Sequence, residues 1–228
     1  MPRQRIRELE GSHRYGIVLL AITVPIVFSL AAPDAAWARA LSVLLFAVAI
    51  VISLAVAQAH RRVQIVAFVL LLAACISAIV DVIVSDNGTV GVARAIVGLL
   101  IALAPFAMAR GVVRHLRASR QVTLDAVYGA IAIYLMIGAF FATIDAAVGA
   151  LGSDPFFNQV PHASFEEFLY FSYVTLSTVG YGDFTPGHSL GRALAIAEAL
   201  IGQLYLVTVL ALLVSNIAPR RSGEDVES

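Results

Sequence analysis

The sequence predicts an all-α membrane protein with six transmembrane helices and one further short helix that enters the membrane and returns. Hydrophobic residues make up 60% of the 228 residues, charged residues make up 13%, and the mean hydropathy is +0.90. A soluble domain of this length carries far more charge. Six apolar stretches approach the roughly 20 residues that a helix needs to cross the hydrocarbon core. The one long interruption between them, residues 151–189, contains the short helix.

Short polar or Gly/Pro-containing segments separate the first four apolar stretches, so no soluble domain fits between them. The long interruption lies between the fifth stretch and the sixth. The six predicted spans are Tyr15–Ala32, Ala38–Ala59, Val63–Val84, Val90–Ala109, Leu124–Ala150 and Leu190–Asn216.

The first apolar stretch has two interpretations. Arginines precede it, and the segment Ala36-Trp37-Ala38-Arg39-Ala40, with alanine at every second position, follows it, as in a cleaved signal peptide. Its apolar run is long for a signal peptide, which favours an uncleaved anchor. The orientation of the later spans is the same in both cases.

The distribution of basic residues predicts the topology, because cytoplasmic loops carry an excess of positive charge. Every basic residue other than histidine is an arginine, and an N-terminus in the cytoplasm leaves only Arg39, Arg94 and Arg192 away from the inner side. We therefore expect both termini in the cytoplasm and residues 151–189 on the outer side. The net charge is zero and no basic patch is interleaved with aromatics, so we expect no nucleic-acid partner.

Residues Phe165–Ser177 predict a helix of roughly 20 Å, too short to cross the membrane. A capping box is expected at its start, where Ser164 caps the helix and Glu167 reaches back to the cap amide. Glu166 and Glu167 are interpreted as helix-start residues at the positive end of the helix dipole.

The segment Thr178-Val179-Gly180-Tyr181-Gly182, called the TVGYG segment below, follows this helix directly. Irregular backbone at membrane depth is tolerated only where protein encloses it or where it lines a watery path. Carbonyl oxygens can replace the water shell of a cation when consecutive carbonyls point toward a common axis. That direction requires alternating backbone conformations, and Gly180 and Gly182 adopt positive φ at little cost.

The run Thr175–Pro186, TLSTVGYGDFTP, resembles the signature of the potassium channel family. The resemblance covers roughly Val127–Ile217, the two-helix pore module. It implies that Thr178, Val179, Gly180 and Tyr181 provide the oxygen layers that hold potassium, with the Thr178 hydroxyl at the inner end, and that Gly182 closes the outer mouth. It also implies a homotetramer, in which three further copies of the chain complete the ring around the ion.

The resemblance also implies residues that support the filter. The TVGYG segment corresponds to the family's selectivity filter, and Asp183 matches the family's acid just outside it. In the family this acid usually bonds to a tryptophan of the short helix, and Tyr170 offers its hydroxyl there in this chain. Some members carry a glutamate behind the filter at the position of Val174. This chain therefore lacks that second side-chain support of the filter. Glu198 is a carboxylate inside the last span. We expect it to face protein near the short helix Phe165–Ser177, with Ser172 or Tyr173 as hydrogen-bond partner.

The last span contains Gly202 where the family commonly has a hinge glycine. Close helix packing at a small residue is the alternative interpretation. Below it, Leu206, Leu210 and Val214 recur at i, i+4 and i+8 and are expected to form a hydrophobic constriction facing the pore.

Four spans before a pore module resemble the layout of voltage-gated channels, in which the fourth span carries regularly spaced arginines. Here Arg94 stands alone, and Pro105 interrupts the span before Arg110 at the inner border. The arginines of residues 110–120 alternate with apolar residues. This pattern favours a linker helix at the membrane interface over a voltage sensor at the cytoplasmic side of the membrane. We therefore expect weak voltage dependence or none.

The resulting interpretation is a passive potassium-selective channel of the plasma membrane, with K+ as permeant ion, the lipid bilayer as its surroundings and no cofactor. A less selective cation channel and a non-conducting regulatory subunit are the alternatives. An enzyme is not expected, because no nucleophile–base pair or phosphate-binding loop is present. Because the segments before the first span and after the last are short, we expect no cytoplasmic nucleotide- or calcium-binding domain. The predicted parts are a cytoplasmic N-terminus (1–14), a four-helix sensor-like domain (15–109), a linker (110–123), a pore domain (124–217) and a cytoplasmic tail (218–228).

Overall fold

The structure is a computed structural model, which describes residues 14–33, 35–56, 65, 69 and 124–217. Within these ranges the chain forms five helices, named in chain order. They are α1 (Arg14–Ala31), α2 (Ala36–Val56), α3 (Leu124–Leu151), α4 (Phe165–Leu176) and α5 (Ser189–Ile217).

Three of the described helices are long and apolar enough to cross a membrane. Their qualifying segments are Trp37–Val56, Ala126–Leu151 and Ser189–Val209, of 20, 26 and 21 residues. The apolar part of α1, Tyr15–Ala31, is shorter. The predicted third and fourth spans, the linker at 110–123 and the tail at 218–228 lie outside the described residues. The described part of the chain is thus helical and suited to a membrane, as the composition predicts.

The helices pack around α3, which contacts α1, α4 and α5. Helix α1 lies between α2 and α3 and also contacts α4, while α5 contacts α3 and α4. Buried apolar side chains fill the centre, and the core members most enclosed by protein include Val18, Ala132, Ala142, Leu169 and Phe157.

Small residues bring α3 and α4 close together. A side chain at Gly138 would overlap the ring of Tyr173, and one at Gly149 would come within 2.9 Å of Phe168. The glycines of α3 therefore give the aromatic side chains of the short helix the space they occupy, which fixes the depth of α4 against α3.

The segments on either side of α4 pair with each other through the backbone. Phe157 and Pro186 form an isolated antiparallel bridge, in which the amide of Asn158 donates to the carbonyl of Thr185 at 3.0 Å. The amide of Gly187 donates to the carbonyl of Phe156 at 2.8 Å. The loop before α4 and the loop before α5 are therefore joined beside the TVGYG segment.

Candidate functional site

Helix α4 begins with the predicted capping box. The Glu167 amide donates to Ser164 Oγ at 3.3 Å, and the Ser164 amide donates to Glu167 Oε2 at 2.7 Å. Both bonds satisfy amides that a helix start would otherwise leave without partners. The prediction of the cap is confirmed, and the helix is one residue shorter than predicted because Ser177 is its C-cap.

The chain reverses direction at the end of α4 and enters the TVGYG segment. The carbonyl of Val174 accepts the amides of Val179, at 3.0 Å, and Gly180, at 3.3 Å, while the Thr178 amide donates to Thr175 at 2.9 Å. The last turn of the helix thus holds the first residues of the segment through its backbone. Val174 therefore supports the segment through its backbone carbonyl and not through its side chain.

Positive φ recurs at every second residue of the TVGYG segment. Thr178, Gly180 and Gly182 have φ of 59°, 58° and 80°, whereas Val179 and Tyr181 are not in this region. Alternation of this kind lets successive carbonyls turn toward one side of the strand, as the sequence analysis required of the two glycines. Thr178 was not expected in this conformation, which a side chain disfavours by about 1–2 kcal/mol.

No described residue packs against one face of the TVGYG segment. The side chains of Val179 and Tyr181 are 53% and 71% exposed. A Cβ added at Gly180 or Gly182 would meet no atom within 4 Å. Within the described part of the chain, the segment is therefore anchored on the α4 side only, and its other side is open to further contacts.

Asp183, the residue after the segment, is tied to α4. Tyr170 Oη donates to Asp183 Oδ2 at 2.7 Å, and Asp183 Oδ1 accepts the amide of Phe184 at 3.1 Å. The hydrogen bond to Asp183 raises the pKa of the Tyr170 phenol above its usual value. Tyrosine thus makes the contact with this aspartate that the family resemblance assigns to a tryptophan.

An aromatic cluster supports the same region and was missed by the sequence analysis. The ring of Phe157 lies 5.0–5.1 Å from those of Phe168, Phe171 and Phe184, and Phe156 packs edge-on against Phe157 at 4.9 Å. Two adjacent phenylalanines in an otherwise polar loop were the signal available in the sequence. The cluster anchors the loop before α4 to both α4 and the segment after Gly182.

Side-chain amides complete the joint between the two loops. The Gln159 side chain donates to Thr185 Oγ1 at 2.8 Å and accepts the Thr185 amide at 3.0 Å, and Asn158 Nδ2 also donates to Thr185 Oγ1, at 3.2 Å. Thr185 is therefore held on both its side chain and its backbone. The chain just past Asp183 is consequently fixed in position.

Glu198 lies in the interior, where α3, α4 and α5 meet. It is fully buried, and its Oε1 forms a hydrogen bond with Ser172 Oγ, one of the two partners that the sequence predicted. Ser172 Oγ also lies 2.6 Å from the carbonyl of Gly138. Asp145 of α3 is fully buried as well, which was not predicted from the sequence.

Gly202 is a point of close approach between α5 and the end of α4. A Cβ at this position would overlap the carbonyl of Leu176 and come within 2.8 Å of Leu176 Cδ1. Helix α5 continues without a break from Ser189 to Ile217 through this residue. The structure thus shows the packing contact, and hinge motion at Gly202 stays a prediction.

The predicted constriction is described in part. Leu206 is 48% exposed on the single chain. The side chains of Leu210 and Val214 lie outside the described residues. The constriction therefore stays a prediction.

The remaining titratable residues form no second site within the described ranges. No group of three or more His, Cys, Asp or Glu side chains that could hold a metal ion is found there. His188 Nδ1 accepts the Gly191 amide at 3.1 Å at the start of α5. The backbone of the TVGYG segment is thus the feature with the most specific chemistry.

The family model described as "Ion channel" matches residues 122–218, which include α3, α4, the TVGYG segment and α5. Protein LctB of Bacillus caldotenax is 35% identical over 96 residues, which are 40% of this chain and 71% of the relative.

Two further relatives match over shorter shares of their length. The mouse protein "Potassium channel, subfamily K, member 16" is 37% identical over 81 residues, 32% of this chain and 28% of the relative. The rice protein "Two pore potassium channel a" is 39% identical over 88 residues, 38% of this chain and 21% of the relative. The chain therefore spans about a quarter of the length of these two relatives.

Proposed function

We propose that this chain, which belongs to the ion channel family, forms a potassium-selective pore that conducts K+ passively across the plasma membrane. The TVGYG segment is the selectivity filter in this proposal. The observation that carries it is the recurrence of positive φ at Thr178, Gly180 and Gly182, directly after a short helix between two long apolar helices.

The alternating backbone supports coordination of a cation without its water shell. Carbonyl dipoles that turn toward one side of a strand offer oxygen ligands at successive levels along an axis. Thr178, Val179, Gly180 and Tyr181 supply these oxygens, and the Thr178 hydroxyl adds a ligand at the inner end. K+ is the transported ion and not a resident cofactor.

The exposure of the filter supports assembly from several copies, and the family resemblance gives their number as four. A single strand offers oxygens on one side of an ion only, and a ring requires several strands around an axis. The exposed side chains of Val179 and Tyr181, together with the mostly exposed helix α5, provide surface for neighbouring copies and lipid. We infer a homotetramer whose pore is walled by α3 and α5 of each subunit.

The supports around the filter have distinct roles in this proposal. Tyr170 holds Asp183 against the pore helix α4, and the carbonyl of Val174 receives the first filter amides. Leu206, Leu210 and Val214 form the inner hydrophobic constriction. The six-span layout with cytoplasmic termini, and weak or absent voltage gating, complete the proposal from the sequence.

Potassium is favoured over other cations by two observations. The filter retains Tyr181, a position that relatives of relaxed selectivity often alter, and two of the relatives above carry names of potassium channels. A less selective cation channel and a non-conducting regulatory subunit are the competing functions, and one assay separates all three.

The assay is ion flux into liposomes that contain the purified protein, with the membrane voltage clamped by an ionophore. A potassium gradient followed by a sodium gradient is applied to the same preparation. Flux of potassium well above that of sodium supports the proposal. Equal fluxes indicate a less selective channel, and absence of both indicates a non-conducting subunit.

A further inference from the structure

Three helices meet at the Ser172 hydroxyl. Ser172 belongs to α4, and its Oγ lies at hydrogen-bond distance from the Gly138 carbonyl of α3 and from Glu198 Oε1 of α5. All three groups are buried. This contact joins the pore helix to both long helices of the predicted pore domain.

The number of protons at this contact determines the state of Glu198. A serine hydroxyl carries one proton and can donate one hydrogen bond, while a backbone carbonyl is an acceptor only. The Gly138 carbonyl therefore takes the Ser172 proton. Glu198 Oε1 must then supply the second proton, because an ionised carboxylate would leave two acceptors facing each other.

The surroundings of Glu198 favour the same state. In the described part of the chain, its Oε2 and both oxygens of Asp145 have no hydrogen-bond partner. Tyr134 and Asp145 of α3 and Tyr173 of α4 interact with it electrostatically, and each of them is neutral or acidic. Its own helix carries Arg192 and Tyr205, and the Arg192 guanidinium donates to the Gly187 carbonyl at 3.3 Å, near the helix start.

A buried carboxylate without a positive partner is costly in a low dielectric, and such a group takes up a proton instead. None of the groups named above offers Glu198 a positive charge. The charges around Glu198 and the number of protons at the Ser172 contact thus both indicate a neutral Glu198.

We propose that Glu198 is a positioning residue for the filter that acts as a neutral carboxylic acid, donating to Ser172 while Ser172 donates to Gly138. The chain of two hydrogen bonds fastens α5 and α3 to the pore helix four residues before it ends. It rests on the proposed function only in that the pore helix carries a conducting filter. The protonation state is a property of the protein whether or not it conducts.

The direct test is isotope-edited infrared spectroscopy of the purified full-length protein in lipid at neutral pH. Protein labelled with 13C at the glutamate carboxyl groups is compared with unlabelled protein, which separates Glu198 from Asp145. We expect a carbonyl stretch of a protonated carboxylic acid that shifts with the glutamate label and is lost in Glu198→Gln. Absence of this band from the wild type, or its persistence in Glu198→Gln, overturns the proposal.

Ion flux supplies the second readout. Glutamine keeps a donor for Ser172, so we expect the K+ flux of Glu198→Gln to be within about twofold of the wild-type flux. Leucine leaves Ser172 Oγ unpaired on the α5 side, so we expect the K+ flux of Glu198→Leu to be lower than the wild-type flux by roughly tenfold or more. Oligomer elution confirms that each variant assembles.

The two hypotheses fail differently. Loss of flux in an assembled Glu198→Gln, or flux of an assembled Glu198→Leu equal to that of the wild type, overturns the positioning role. A wild type that carries no selective flux contradicts the proposed function instead, and the infrared band then still decides the protonation state.

Discussion

Tyr170 on helix α4 donates a 2.7 Å hydrogen bond to Asp183, thirteen residues later and directly after the TVGYG segment. The filter is therefore held at both ends, because its first residues are bonded to the Val174 carbonyl at the end of the same helix. A strand whose carbonyls must keep one direction requires restraint of this kind at both ends.

Removing the phenol hydroxyl tests the restraint at the outer end. Tyr170→Phe keeps the ring and loses the donor, so we expect a lower ratio of K+ to Na+ flux than in the wild type. Tyr170→Trp offers an indole N–H as donor and should recover part of the ratio. Tyr128→Phe, in the first two turns of α3, is the matched control and should leave the ratio unchanged. Wild-type selectivity in Tyr170→Phe would show that Asp183 needs no donor from α4.

The same hydrogen bond predicts how the phenol titrates. Only the neutral phenol donates, and the bond to Asp183 raises the pKa of Tyr170. The stabilisation is therefore fully present below the ordinary tyrosine pKa of about 10 and is lost as pH rises through the raised value. Ultraviolet titration of phenolate, as the difference between wild type and Tyr170→Phe, should show a group that ionises later than a free tyrosine. A midpoint at or below the ordinary value would contradict the bond.

The parts of the fold that the sequence predicted are those governed by local rules. The capping box at Ser164 and Glu167 follows from residue spacing, and the need for positive φ at Gly180 and Gly182 follows from the chemistry of glycine. Apolar length likewise predicted spans at Ala38–Ala59, Leu124–Ala150 and Leu190–Asn216, and the described helices α2, α3 and α5 lie within a few residues of these bounds.

The parts that the sequence did not predict depend on contacts between distant residues. The Phe156 and Phe157 cluster forms because the loop before α4 pairs with residues 184–187, and no local pattern specifies that pairing. A threonine disfavours the positive φ that Thr178 adopts, and backbone hydrogen bonds to the end of α4 hold the chain in this conformation. Burial of Asp145 likewise depends on contacts between helices, which hydropathy alone does not determine.

The contact at Gly202 predicts the effect of adding one methyl group. In Gly202→Ala the new Cβ meets the Leu176 carbonyl, a backbone atom that cannot rotate away, so α5 must shift. We expect a loss of about 1–3 kcal/mol in stability per subunit, measured by thermal dissociation of the oligomer. Gly16→Ala is the control, because its Cβ would meet Tyr128 at an ordinary 3.5 Å. Unchanged stability combined with altered opening would favour the hinge interpretation.

Voltage dependence is predicted from arginines that lie outside the described residues. Moving one charge through the field contributes about 2.3 kcal/mol per 100 mV, so steep control requires several moving charges, and Arg94 stands alone in its span. Replacing Arg114, Arg117 and Arg120 together by glutamine should leave the conductance–voltage relation nearly unchanged in planar bilayers. A steep wild-type curve that flattens in this variant would identify residues 110–120 as a sensor.

The ratio of K+ to Na+ flux through liposomes containing Gly180→Ala tests the central claim most directly. Alanine at φ of 58° costs about 1–2 kcal/mol in each subunit. A Cβ there meets no atom of the described residues, so the conformation of the filter strand is what changes. The account predicts K+-selective flux in the wild type and in Gly16→Ala, and abolished or strongly reduced K+ flux in assembled Gly180→Ala. Selective flux of Gly180→Ala equal to that of the wild type would contradict it.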